Sequence, residues 1–174
     1  MDLESFRRLL TPAGQAALQA AAALEPNEAD FLALFTRLSR QFPPDLARAA
    51  LETAILRREG QAKFPLAGEM YFTRPALEQA TSLAISSYRA QRYAAFAWTA
   101  DLGCSIGGDS LALAAVAPVV GIDLDPLRLE MARANLEAAG LTGRAVLLRG
   151  DLHQLLPLGA GSDLALFFDP ARRT

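Results

Sequence analysis

The sequence predicts an α/β protein: a parallel, doubly wound sheet preceded by a small all-helical segment. Two observations carry the sheet. Short apolar runs (Thr99–Leu102, Val119–Asp123, Ala145–Leu148 and Leu164–Asp169) alternate with helical stretches, and several of them end in an acid. Such continuous apolar strands belong to parallel sheets buried by crossover helices. A third observation concerns the first 60 residues, which are rich in Ala, Leu and Arg and carry no strand-like alternation. The 174 residues suffice for one domain of about 150 residues or for two small ones. The expected division is a helical domain over 1–63 and a sheet domain over 64–174.

The elements follow in order. Leu3, Phe6, Leu9 and Leu10 give a first short helix. Thr11-Pro12 reads as a cap and first turn and opens a second helix through Leu24. Asn27 is expected to cap a third, with Phe31, Leu34, Phe35 and Leu38 on one face. Pro43-Pro44 stops it and starts a fourth, with Leu46, Ala50, Ile55 and Leu56 inward and Gly60 past its end. A Pro- and Gly-bearing linker from Phe64 to Gly68 leads to Thr73-Arg74-Pro75, which begins helical sequence to about Tyr93, broken at Thr81. Between the strands, a helix of small residues runs from Gly108 to Ala117, and another opens at Pro126 and ends at Gly140.

Chemistry concentrates where the first strand meets its helix, in DLGCSIGGDS from Asp101 to Ser110. Gly103, Gly107 and Gly108 crowd this turn, and glycine is needed where backbone turns sharply and comes close to a ligand. The second strand ends in Asp123, with Asp125 just beyond, placed to meet ribose hydroxyls. Two cofactor classes use such a nucleoside crevice. Dinucleotide binders read G-x-G-x-x-G and take pyrophosphate at the helix amino end. Here the loop is Gly103-x-Ser105-x-Gly107, and Asp101 precedes it where dinucleotide binders carry an apolar residue. A carboxylate there repels pyrophosphate and suits a donor with a cationic ammonium and sulfonium, such as S-adenosylmethionine, ahead of NAD(P).

The segment from about Tyr71 to Arg173 resembles a class I S-adenosylmethionine-dependent methyltransferase, with its Rossmann-like sheet. More closely it is similar to a bacterial THUMP-like branch related to RNA methylases and trimethylguanosine synthase. The residues that carry the resemblance are FTRPALEQAT (Phe72–Thr81), DLGCSIGGDS, VVGIDLDPLRLEMARANLEAAG (Val119–Gly140), RGD (Arg149–Asp151) and FFDPARR (Phe167–Arg173). The resemblance implies that Asp101 and Gly103 hold the methionine end of the donor, near Ser105, while the amides around Gly107 cradle its carboxylate. It implies that Asp123 takes the ribose and Asp151 the adenine amino group, and that Asp169 and Pro170 begin the motif that holds the target base. Two departures stand out. Ser105 occupies a position where the family has glycine. Ala171 and Arg172 replace the second proline and the aromatic of the target motif, and Arg172 reads either as a guanidinium plane that stacks on the base or, with Arg173, as a solvent-facing side chain. Asp169, Pro170 and Arg172 are thus the candidate catalytic residues.

Composition narrows the partners. No run approaches 18 uninterrupted apolar residues and the acidic start MDLESF is no signal peptide, so a cytoplasmic protein without membrane contact is expected. A single cysteine, Cys104, allows no internal disulfide and no metal cluster, and reads as a packing residue of the loop. His153, the only histidine, reads as solvated or as a neighbour of the adenine pocket. The net charge of −2 argues against a broad nucleic-acid patch. Arg7, Arg8, Arg57 and Arg58 are the residues of the helical segment able to reach phosphate, against the plainer reading of a solvated face.

The expected function is therefore methyl transfer to an RNA nucleobase, on rRNA or tRNA. The alternatives are a catalytically degenerate binding module with the same fold and an NAD(P)-dependent oxidoreductase. Four strands are fewer than a complete domain of this class has, so the chain is expected to be an amino-terminal fragment, inactive alone. Its fourth strand is then an exposed edge, paired in a homodimer or covered by the amino-terminal helices.

Overall fold

A computed structural model of the chain describes residues 1–154 and 163–169. The amino-terminal part is four helices: α1 (Leu3–Leu9), α2 (Pro12–Ala22), α3 (Phe31–Leu38) and α4 (Pro44–Gly60). Local chemistry sets their ends. The Asp2 carboxylate accepts from the Ser5 amide at 2.8 Å, and the Thr11 hydroxyl accepts from Gly14 at 3.2 Å, so each caps the helix that follows. Pro12 and Pro44 open their helices, where a missing N–H costs nothing.

Two expected boundaries move. Asn27 does not cap α3: its Oδ1 accepts the Asp30 amide at 3.0 Å and closes a turn one step earlier, and Asp30 is the residue that precedes the helix. Gly60 is the last residue of α4 rather than the one past its end. A Cβ there would stand 3.1 Å from the Phe72 ring, so its glycine admits the aromatic against the helix end.

Two further helices, α5 (Arg74–Gln79) and α6 (Leu83–Ala90), are separated at Ala80–Ser82, close to the expected break. Lys63 fastens this corner. Its Nζ donates to the carbonyls of Leu77, Glu78 and Ala80 at 2.8, 2.9 and 2.8 Å, satisfying the open end of α5.

The sheet has four parallel strands in the order β3-β2-β1-β4: β1 (Trp98–Leu102), β2 (Val119–Asp123), β3 (Ala145–Arg149) and β4 (Leu164–Phe168). Helices α7 (Gly108–Val116) and α8 (Pro126–Ala138) make the crossovers. Both steps, β1 to β2 and β2 to β3, run in the same direction, so right-handed connections bring α7 and α8 to the same face of the sheet. That face carries Thr99, Asp101, Val119 and Phe167, all buried. On the opposite face Trp98, Leu166, Phe168, Val146 and Leu148 are exposed. Among the described residues the sheet is thus covered by helices on one face, where the alternation alone had predicted both.

The helical segment and the sheet share a continuous apolar core, from Phe6, Leu9 and Leu51 through Phe64 and Phe72 to Leu113 and Met131. Phe6 meets the Tyr71 ring edge-on at 5.1 Å. The amino-terminal helices do not cover the β4 edge as expected. They reach the sheet domain through α1 on α8 and α4 on α5, and α8 lies over β2 and β3, on the far side of β1 from β4.

Candidate functional site

The strand order reverses between β1 and β4. In open parallel sheets a ligand crevice forms outside the carboxyl ends of the strands at such a switch point. Here those ends bring together the loop Gly103–Gly107, Asp123 at the tip of β2, and Asp169 directly after β4.

The loop is wound by three left-handed residues: Gly103 at φ +82°, Ser105 at φ +51° and Gly107 at φ +80°. Gly103 and Cys104 both donate their amides to the Ile122 carbonyl, at 2.8 and 3.0 Å, tying the loop to β2. Gly107 serves a second purpose, since a Cβ there would lie 3.2 Å from the Ala132 Cβ, so α8 can close on the loop only over glycine. Ser105 has no such excuse: it is a side-chain-bearing residue in a conformation that costs about 1–2 kcal/mol. What holds it is Asp123, whose Oδ2 accepts the Ser105 amide at 2.8 Å while Oδ1 accepts the Asp125 amide at 2.9 Å.

The acids divide by role. Asp123 is 9% exposed, and with one amide on each oxygen it retains acceptor capacity. Asp125 is the cap of α8, accepting from Leu127 and Arg128 at 2.8 and 3.3 Å. Asp101, expected at the mouth of the loop, lies beneath it instead. It is 3% exposed and its Oδ2 accepts the Ser110 hydroxyl at 2.5 Å. Burial pushes its carboxyl up to about 7, with the nearby Asp109, Asp123 and Asp169 adding to the rise and Ser110 opposing it. Asp151 follows β3 and is half-buried, with the His153 amide on its Oδ1 at 2.9 Å. His153 itself is exposed. Cys104 is buried against Gly121, and burial pushes its thiol up, so it is a packing residue and no thiolate nucleophile.

Asp169 is half-exposed and ion-paired to Arg89. Pro170 and Arg172, the other candidate catalytic residues, lie outside the described residues, as do Ala171 and Arg173. Among the described residues no group of three or more His, Cys, Asp or Glu is arranged to hold a metal. Among the described residues no helix is long and apolar enough to cross a membrane.

Four residues escaped the sequence reading. Asp109 and Ser110 stood inside the glycine motif with no role assigned. Arg89, in a helix with no motif, bridges Asp109 and Asp169. Asn135 is fully buried: its Oδ1 accepts the Tyr71 amide at 2.7 Å, and its Nδ2 donates to the carbonyls of Tyr71 and Ile106 at 3.0 and 2.9 Å. It staples α8, the segment before α5 and the glycine loop at one point. Its signal was a polar residue on the buried stripe of Ala132 and Leu136. Conversely, the four arginines considered for phosphate are all engaged within the chain. Arg7 pairs with Glu130 and Arg8 with Asp45, Arg57 donates to the carbonyls of Met70 and Glu69, and Arg58 to those of Glu25 and Pro26.

The carboxyl ends of the strands thus gather a glycine-rich strand-to-helix turn, an acid at the next strand tip and an acid after the fourth strand. Residues 100–170 match the family described as "Methyltransferase domain", and the relatives that the chain resembles are S-adenosylmethionine-dependent methyltransferases by their descriptions, which makes S-adenosylmethionine the cofactor supported. Residues 2–60 match a "Domain of unknown function (DUF8688)". The chain is 40% identical over 138 residues to an uncharacterized S-adenosylmethionine-dependent methyltransferase of Mycobacterium tuberculosis, a match covering 75% of this chain and 36% of that one. It is also 40% identical over 74 residues to an uncharacterized RNA methyltransferase of Parasynechococcus marenigrum, over 42% of this chain and 16% of that one. The chain thus spans little more than a third of the curated relative it matches over most of its own length. In fold it is similar to a crystal structure of a Porphyromonas gingivalis W83 protein assigned as a methyltransferase, with a TM-score of 0.58 and 23% identity over 74% of this chain and 37% of that one.

Proposed function

We propose that this chain binds S-adenosylmethionine across the carboxyl ends of β1 and β2 and belongs to an enzyme that methylates an RNA nucleobase. The observation that carries the donor reading is the loop itself. Gly107 stands at the amino end of α7 and brings no capping side chain, leaving the first-turn amides to an anionic group such as the donor's methionine carboxylate. Asp123 beside it has acceptor capacity for the ribose diol, and the acids around the crevice suit a ligand carrying two cationic centres. In this reading Asp151, which follows β3, meets the adenine amino group. Asp101, buried beneath the loop, supports the donor site from below through its bond to Ser110 at the start of α7.

When bound, S-adenosylmethionine supplies an electrophilic methyl group on sulfur. What the protein contributes is placement: holding the acceptor in line can supply roughly 7–11 kcal/mol of such a barrier. Asp169, at the switch point, accepts the hydrogens of a target amine and aims its lone pair. Pro170 and Arg172 extend that motif, with Arg172 as the flat surface for a base drawn out of its stack. RNA is favoured as substrate by the Parasynechococcus relative, an RNA methyltransferase by its description. The motif set supports the THUMP-like branch, and such a protein works in the cytoplasm, on rRNA or tRNA. The helical segment over 1–63 acts as a cap on the sheet domain over 64–174, a reading supported by the internal partners of Arg7, Arg8, Arg57 and Arg58.

Isothermal titration of the chain with S-adenosylhomocysteine and with NADH tests the donor reading. Binding of the first and not of the second is expected, and the reverse result refutes it. Transfer of labelled methyl to bulk RNA, or its failure with a relative of full length, decides between enzyme and binding module.

A further inference from the structure

Arg89 projects from α6 into the acids of the site. Its Nη2 donates to Asp109 Oδ1 at 2.8 Å, and Nη1 and Nη2 both reach Asp169 Oδ2 at 3.0 Å. The guanidinium lies 5.3 Å from the centre of the Phe167 ring. Ser86, one turn back on the same helix, donates its hydroxyl to the same Asp109 oxygen at 2.8 Å. This is an expensive way to pack a helix. The Arg89 Nε is buried and has no acceptor among the described residues, and an apolar side chain would cover Phe167 without that cost. Packing therefore does not account for an arginine here.

Charge does. Asp109 is in the first turn of α7, beside the amides that receive the donor's carboxylate under the proposed function. An unbalanced Asp109 would repel that carboxylate at short range, where screening is weak. We propose that Arg89 is a positioning residue for the methyl donor: by neutralising Asp109 it makes the amino end of α7 acceptable to a carboxylate, and the same guanidinium fixes Asp169 at the target side. One cation thereby sets the charge of both halves of the crevice. The inference rests on the donor reading above.

The test separates the two. The folded Arg89→Met variant is titrated with S-adenosylhomocysteine, which carries the amino-acid carboxylate, and with 5′-methylthioadenosine, which lacks it. The expected result is about a tenfold or greater loss for the first and little change for the second. Asp109→Asn in the Arg89→Met background restores the first, because no charge then needs balancing. Asp109→Asn alone, which keeps Arg89, binds S-adenosylhomocysteine as tightly as the parent or more tightly, and it serves where Arg89→Met does not fold. Parallel losses of both ligands, no loss of either, or weakened binding in Asp109→Asn alone each overturn the proposal. If the parent binds neither ligand, the donor reading has failed and this inference falls with it.

Discussion

Asp101→Asn probes the buried acid under the glycine loop. The carboxyl is raised from 3.8 to about 7, so between those values the native state holds a proton that the unfolded chain has released. The unfolded state then binds fewer protons, and stability falls as pH rises through this window. Above about pH 8 the loss is complete. A shift of about three units, at ~1.4 kcal/mol each, makes the full loss about 4 kcal/mol. Asparagine keeps an acceptor for the Ser110 hydroxyl and cannot ionise, so the variant lacks this slope. Urea unfolding from pH 4.5 to 8.5 should give similar midpoints at the acid end and a variant increasingly more stable than the parent toward pH 8. Parallel pH profiles for the two proteins would mean that Asp101 is not held in its neutral form, and would sink the burial argument.

Other outcomes follow from single contacts. Ser105→Gly relieves a left-handed serine and should raise the unfolding free energy by up to about 1 kcal/mol while preserving or improving S-adenosylhomocysteine affinity; a less stable variant would show that φ +51° carries no strain. Asp123→Asn should weaken that affinity about tenfold or more, whereas Asp125→Ala should cost about 1 kcal/mol of stability as a lost cap and leave affinity nearly unchanged, so equal small effects on binding refute the ribose assignment. Asn135→Leu orphans the Tyr71 amide and the carbonyls of Tyr71 and Ile106, and should cost about 3 kcal/mol or more in denaturant unfolding; a loss under 1 kcal/mol would mean that water replaces the staple.

The sheet was legible because each strand is a short apolar run closed by an acid or glycine, a signal that needs no tertiary information. The glycine loop was legible for the same reason, including the anomaly at Ser105, which the backbone explains as a left-handed residue held by Asp123. What the sequence hid depends on long-range pairing. Arg89 lies 80 positions from Asp169 and Asn135 64 from Tyr71, and no local pattern encodes such meetings. Asp101 was read as a ligand group from its place in a motif, and its burial under Ser110, brought back over it by the helix that follows, needed the third dimension to be seen. That α7 and α8 share one face follows from the strand order β3-β2-β1, which alternation cannot specify.

The chain carries sixteen arginines and one lysine, and that lysine is the residue that fastens the end of α5. Amine-directed chemistry on this protein thus has a single side-chain target, and an undesirable one. Acylating the Lys63 amine would remove its charge and loosen its grip on three carbonyls, releasing the corner from which α6 and Arg89 are hung. A dye or a sensor surface attached through Lys63 would report on a protein altered at that joint, whereas attachment through an added residue at a terminus would leave the joint intact.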